Sequence, residues 1–115
     1  MKNTVSIKKN RDFRFLYRKG KTAVSPLLAI YVRRTKNTSN KLGITVSTKV
    51  GKAIVRNRVR RRIREAYRIN EKLFSTGVDL VVVARHRAHD ASFSEIEKNL
   101  LKLAASLGIL SEEQK

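Results

Sequence analysis

Between Lys49 and Arg68 the chain reads K-V-G-K-A-I-V-R-N-R-V-R-R-R-I-R-E-A-Y-R, and no other stretch narrows its possible folds as far. Arginine crowds it, yet the apolar residues are periodic. Val55, Val59, Ile63 and Ala66 recur at spacings of four, four and three, the repeat of one face of an α-helix. At about 100° per residue, Asn57, Arg61, Arg64 and Arg68 fall in a line on the opposite face. Arg56 and Arg62 flank the apolar stripe, where their stems can cover its edge while the guanidinium groups reach outward. No Gly or Pro interrupts Lys52 to Arg68. The pattern predicts a helix over that range, with one face in a core and its arginines held in fixed register.

Seven arginines stand between Arg56 and Arg68 against one acid, Glu65. Like charges on one helix repel, so the charge must be met from outside. Arginine's planar fork pairs two-pronged with phosphate oxygens, and a rigid row of such forks suits a structured polyanion. The whole chain repeats the message, with a net charge of +18 and 41% hydrophobic residues. That apolar content is enough for a core and argues against a disordered basic tail. A compact, strongly basic domain is the footprint of a nucleic-acid binder, although charge alone does not separate RNA from DNA. A solvated basic face and a membrane-surface helix are the alternatives. The second is disfavoured by a narrow apolar stripe without Trp or Phe.

The 115 residues predict one domain, residues 1–115, large enough to bury most of its apolar surface. Cysteine is absent, which fits a reducing cytoplasm. No stretch approaches the roughly twenty apolar residues of a membrane span. The opening M-K-N-T-V-S-I-K-K-N lacks the apolar core of a secretory signal.

Lys8 to Arg18 reads as a short helix with Asn10 as N-cap and Gly20 as a C-terminal glycine cap. Phe13, Leu16 and Tyr17 share one of its faces. A short strand is possible at Lys21 to Val24, and Pro26 permits a strand to begin behind it. In Leu27 to Arg33 both alternating sets are largely apolar, so both faces are expected to be covered. Thr35 to Lys41 reads as a polar hairpin loop. The returning strand alternates Leu42, Ile44 and Val46 with the small, polar Gly43, Thr45 and Ser47. Val78 to Ala84 is a nearly continuous β-branched run, the mark of an interior strand. Ser92 and Glu95 form a capping box for a last helix that buries Ile96, Leu100, Leu103 and Leu107 and ends at Gly108. Residues 109–115 are expected to fray. The class is α+β.

Catalytic constellations are missing. The nine acids are scattered, and no D-x-D or E-x-x-H spacing offers a metal site. His86 and His89 lie three apart among arginines, a poor setting for a cation. There is no nucleophile elbow and no glycine-rich phosphate loop. A large phosphate-binding surface without such groups suits an accessory to chemistry done elsewhere.

The run S-T-K-V-G-K-A-I-V-R-N-R-V-R-R-R-I-R-E resembles the signature of the protein subunit of bacterial ribonuclease P, roughly S-K-K-x-G-N-A-V-x-R-N-x-x-K-R-x-x-R-E. It matches at Ser47, Lys49, Gly51, Ala53, Arg56, Asn57, Arg61, Arg64 and Glu65. It departs at Thr48 and Lys52, and Arg60 stands where lysine is common. The family's K-x-x-x-D-F-x-x-x-[FY] is met by Lys8, Asp12, Phe13 and Tyr17, and its strand aromatic by Tyr31. The element order α-β-β-α-β-α, with the possible extra strand after the first helix, is also the family's.

The resemblance implies a mixed four-stranded sheet backed by helices, with a left-handed crossover through the arginine helix. It implies a catalytic RNA that uses Mg²⁺ to remove the 5′ leader of precursor tRNA, and a non-catalytic protein, monomeric and one per RNA. Lys52, Arg56, Asn57, Arg58, Arg60, Arg61, Arg64 and Arg68 are implied to contact that RNA. Lys8, Lys9, Phe13, Tyr17, Tyr31 and Lys49 are implied to hold the single-stranded leader. Read from the residues alone, Phe13 and Tyr17 are core or stacking platforms. A ribosomal-protein-like RNA binder and a nuclease acting alone remain the rival readings.

Overall fold

The apolar run Val78–Ala84 is the middle strand of the only sheet among the described residues, apolar on both faces because both are covered. The computed structural model describes residues 1–111. In chain order these form β1 (Thr4–Ser6), α1 (Asn10–Lys19), β2 (Lys21–Val24), β3 (Leu28–Arg34), β4 (Asn40–Val46), α2 (Ala53–Ile69), β5 (Val78–Ala84) and α3 (Phe93–Ser106). Short 3₁₀ turns lie at Thr48–Val50, Glu71–Leu73 and His86–Asp90. The sheet runs β1-β4-β5-β3-β2, with β4 parallel to both β1 and β5 and β3 antiparallel to β2 and β5. The α+β expectation holds.

Side-chain alternation assigns the two faces. Leu28, Ile30 and Val32 of β3, Leu42 and Val46 of β4, and Leu80 and Val82 of β5 point to one side. There they meet Val59, Ile63, Ala66 and Tyr67 of α2 and Ile96, Leu100, Leu103 and Ala104 of α3. Val59, Ile63 and Ala66 are fully buried, so the apolar stripe does what its spacing predicts. Val59 and Ile63 each contribute about 1.5–3 kcal/mol by leaving water. On the other side Val81 and Val83 meet Ile7, Phe13, Leu16 and Tyr31, a much smaller cluster under α1.

Four expectations need correction. The sheet has five strands, because residues 4–6 pair in parallel with residues 40–42. Three residues, T-V-S, carry no alternation that a sequence reading could detect. The segment Thr35–Lys41 is not a hairpin loop: β5 lies between β3 and β4, and β4 begins already at Asn40. The physical reason is that β5, apolar but for Asp79, is buried on both faces, so it takes the centre and separates them. Helix α1 is capped by Lys9 rather than Asn10, without a side-chain bond, and Asn10 is its first residue. Gly20 does close that helix, its N–H donating to the Leu16 carbonyl at 2.9 Å. Its φ of −74° is ordinary, however. Glycine is needed there for closeness, since a Cβ would sit 2.6 Å from the Leu16 oxygen and 3.1 Å from that of Val32.

The chain does not fray at residue 109 either. Ile109 is buried, Leu110 bridges to Phe74, and the Ser75 N–H donates to the Ile109 carbonyl. The rest of that expectation, residues 112–115, lies outside the described residues. In α3 the reading holds for Ile96, Leu100 and Leu103, which are buried, whereas Leu107 is the half-buried C-cap. Ser92 and Glu95 make the reciprocal capping box, and Gly108, at φ +71°, follows α3.

A polar knot anchors the first strand. The Glu71 carboxylate accepts from the Lys2 and Asn3 N–H groups and from the Thr4 hydroxyl. Thr4 also shares a 2.8 Å hydrogen bond with the Tyr67 hydroxyl. Buried Asn40 donates to Tyr67 and to the Ser75 carbonyl, and accepts from the Val78 N–H. Burial alone raises the Glu71 pKa, but the hydrogen bonds from Thr4, Lys2 and Asn3 outweigh it and hold the carboxyl below its ordinary value. Burial pushes the Tyr67 phenol up, opposed by its bonds to Thr4 and Asn40.

Candidate nucleic-acid interface

The α2 helix sorts its arginines by what lies beside them. Lys52 is the N-cap, and the first turn carries no acid. Asn57, Arg61, Arg64 and Arg68 are exposed in the predicted line, and Lys52 is exposed beyond its end. Arg56, Arg58, Arg60 and Arg62 are half-buried. Their guanidinium groups do not all reach outward, contrary to the expectation for Arg56 and Arg62. Arg56 donates to the Gly51 carbonyl at 3.1 Å, and Arg62 donates to that of Ala91. Arg58 donates to the His89 carbonyl at 3.1 Å. Arg58 and Arg62 thus tie α2 to the loop ahead of α3, a role invisible in a sequence that shows only charge.

Other members of the row find partners on their own helix. Arg60 donates to the Asn57 side chain at 3.0 Å. Arg68 grips Glu65 with both prongs, at 2.6 and 2.7 Å. That hydrogen bond, with the charge of Arg68 behind it, holds the Glu65 carboxyl below its ordinary value. Arg61 and Arg64, by contrast, have no hydrogen bond or ion pair among the described residues and stay exposed. They are the two forks in the row fully available to a phosphate.

The second surface is built on the far side of the sheet. Tyr17 and Tyr31 meet edge to face, with ring centroids 5.0 Å apart, and Phe13 lies 6.4 Å from Tyr17. The three rings singled out in the sequence therefore do converge. They are not equivalent. The Phe13 ring is half-buried on Gly43, where a Cβ would approach its Cε1 to 2.6 Å. The small face of β4 seats this ring. Tyr17 is 39% exposed and shares a 2.8 Å hydrogen bond with Thr45. Tyr31 is half-buried between them and the cluster under α1. Lys8 and Lys9 are exposed just ahead of α1, and Lys49 is exposed in the turn after β4.

Sequence reasoning missed a stack further along this face. Arg33 lies over the Phe15 ring, 4.5 Å from its centroid, and bonds the buried Asp79 at 3.2 Å. Position offers the only signal for it, since Arg33 and Asp79 are direct cross-strand partners.

Two grooves meet at Phe13, and the second of them joins the surfaces. A shallow one of about 370 Å³ runs between Asn10, Phe13, Arg14, Tyr17 and Thr45. The other, of about 310 Å³, has Phe13 and Ile7 on one wall and Arg60, Arg61 and Arg64 on the other. Phe13 borders both. No three His, Cys, Asp or Glu side chains converge to hold a metal ion among the described residues. No helix there is long and apolar enough to cross a membrane.

Comparison with known proteins gives the same answer at three levels. The family model for ribonuclease P matches residues 1–108. The ribonuclease P protein component of Clostridium botulinum strain 657 is 44% identical over 104 residues, which are 90% of this chain and 94% of that one. That of Clostridioides difficile strain 630 is 46% identical over 101 residues, 87% of this chain and 89% of its own. The solved ribonuclease P protein of Staphylococcus aureus superposes with a TM-score of 0.84 at 31% identity, covering 92% of this chain and 97% of that one. For the protein from Thermotoga maritima the TM-score is 0.77 at 29% identity, over 84% of this chain and 92% of that one. A match of this extent, in sequence and in fold together, makes the chain a member of the ribonuclease P protein family.

Proposed function

We propose that the protein binds the catalytic RNA of ribonuclease P through α2 and the single-stranded 5′ leader of precursor tRNA through the ring-lined face of α1. It assists endonucleolytic removal of that leader to give the mature 5′ end, and it broadens the range of substrates accepted. Arg61 and Arg64 carry the free forks for phosphates of the catalytic RNA. Lys52, Asn57, Arg60 and Arg68 extend that contact, while Arg56 and Arg58 hold the helix in place for it. Tyr17 and Tyr31 offer ring faces to unpaired bases, with Phe13 wedged behind them and Lys8, Lys9 and Lys49 facing the leader backbone. Stacking plus basic walls is how proteins hold single strands with little sequence preference.

The observation that carries this reading is the groove with Phe13 on one wall and Arg60, Arg61 and Arg64 on the other. A substrate strand lying on the rings can pass directly to an RNA lying on the arginines. Charge of +18 lowers the repulsion between two polyanions brought side by side. The protein itself is non-catalytic in this reading. In the same reading the Mg²⁺ is used by the RNA. We place the complex in the cytoplasm as one monomer per RNA.

The test is reconstitution. Protein alone should leave precursor tRNA intact. Catalytic RNA alone should cleave it only at high Mg²⁺, and adding the protein should lower that requirement. Cleavage by RNA-free protein, or an unchanged Mg²⁺ requirement, would sink the proposal.

A further inference from the structure

Ile54 is 77% exposed, the most exposed large apolar side chain among the described residues. It sits in the first turn of α2, two residues past the Lys52 cap. Neither apolar cluster includes it, whereas its neighbour Val55 packs against the main one. Core packing therefore gives no reason for an isoleucine here. Helix propensity gives none either, since a β-branched residue is a poorer choice than Ala, Lys or Arg at an exposed helical position.

Its direction is informative. Asn57 and Arg61 follow it by three and seven residues, so Ile54 stands on the exposed line that continues through Arg64 and Arg68. It is an apolar tip on a phosphate-binding row. Two copies of this chain would bring +18 against +18 at such a patch, and a lone apolar residue is no stripe for a lipid surface. RNA is the partner that offers phosphates and an apolar plane within a few ångströms. It does so where a base leaves the stack, because the grooves of an A-form duplex show side chains little apolar surface.

We propose that Ile54 seats against an unstacked nucleobase of the catalytic RNA. Phosphate contacts set a protein's orientation and register on the backbone but carry no information about the bases. An apolar seat beside them adds a contact that only an unstacked base can make. The inference rests on the reading of α2 as the surface for catalytic RNA and sharpens it to a residue that selects structure.

The experiment compares Ile54→Asn, Ile54→Ala and Ile54→Val with the unmodified protein. The probes are transcribed catalytic RNA and a fully paired RNA duplex of equal length, each titrated over a range of salt concentrations. Ile54→Asn should bind catalytic RNA about tenfold more weakly, the scale of burying such a side chain. The salt slope should be unchanged, because no phosphate contact is lost. Duplex binding should stay level, Ile54→Val should recover most of the loss, and thermal unfolding should not move. Unchanged affinity for catalytic RNA overturns the inference. So does equal loss on the duplex, or a lowered melting temperature in Ile54→Asn. If instead the Arg61→Ala, Arg64→Ala double variant keeps the full salt slope, the underlying reading of α2 is what fails.

Discussion

The two faces of the sheet solve the same packing problem to different degrees. Under α2 and α3, strands β3, β4 and β5 meet two helices, and the side chains between them are almost all fully buried. Under α1 a single ten-residue helix covers the same strands, leaving Tyr17 39% and Phe15 37% exposed. The first face is finished by the protein, and its business with the outside is confined to the outer row of α2. The second is finished only in part. Its aromatic rings are held from behind by Gly43, Thr45 and Val81 and open in front. A core pressed shut makes a scaffold, and the one left ajar is the face proposed to bind the leader.

The largest effect should come from the closed face. Ile63 is fully buried among the helix and strand residues of the main cluster, so Ile63→Ala should cost about 2–5 kcal/mol of stability. Thermal or urea unfolding reads this directly. Tyr31→Ala, on the open face, should cost clearly less, and an equal loss would erase the distinction between the faces.

Gly43→Ala probes the open face at its tightest point. The new methyl would fall 2.6 Å from Phe13 Cε1 and 2.9 Å from Cζ, so the ring must swing out. Overpacking of this kind costs about 1–3 kcal/mol, and the displaced ring should also alter leader binding. An alanine that changes neither melting nor binding would mean that Phe13 is not seated as described.

The smallest effect concerns the strap of the first strand. Because the folded-state pKa of Glu71 lies below its unfolded value, its contribution is complete above the unfolded value. It is lost as pH falls through the folded one. Stability should therefore decline on acidification in the acid range, and Glu71→Gln should flatten that part of the profile. An unaltered profile in the variant would separate Glu71 from the anchoring of β1.

How much of this was legible in the sequence follows from range. The strand Val78–Ala84, the box of Ser92 with Glu95 and the helix from Ala53 are set by neighbours a few residues apart, and periodicity shows them. Strand β1 is too short to show a period. The polar stretch after β3 marks a turn but says nothing of the strand that later inserts beside it. The roles of Arg58 and Arg62 depend on carbonyls about thirty residues away, at His89 and Ala91. No local pattern divides arginines that bind loops from arginines left free. The trough of rings was readable as a set, because α1 spacing and strand alternation bring them together. The unequal burial of those rings was not, since it depends on Gly43 across the sheet.

The most direct test of the division between a closed scaffold and an open leader face is the affinity of the reconstituted holoenzyme for precursor tRNA with leaders shortened stepwise. The unmodified protein should lose affinity with each nucleotide removed until the rings are bare. Tyr17→Ala should melt near-normally and bind mature tRNA as before, yet lose about 1–3 kcal/mol on precursor tRNA for a base that no longer stacks. Equal loss on precursor and mature tRNA, or affinity independent of leader length in the unmodified protein, would contradict the account.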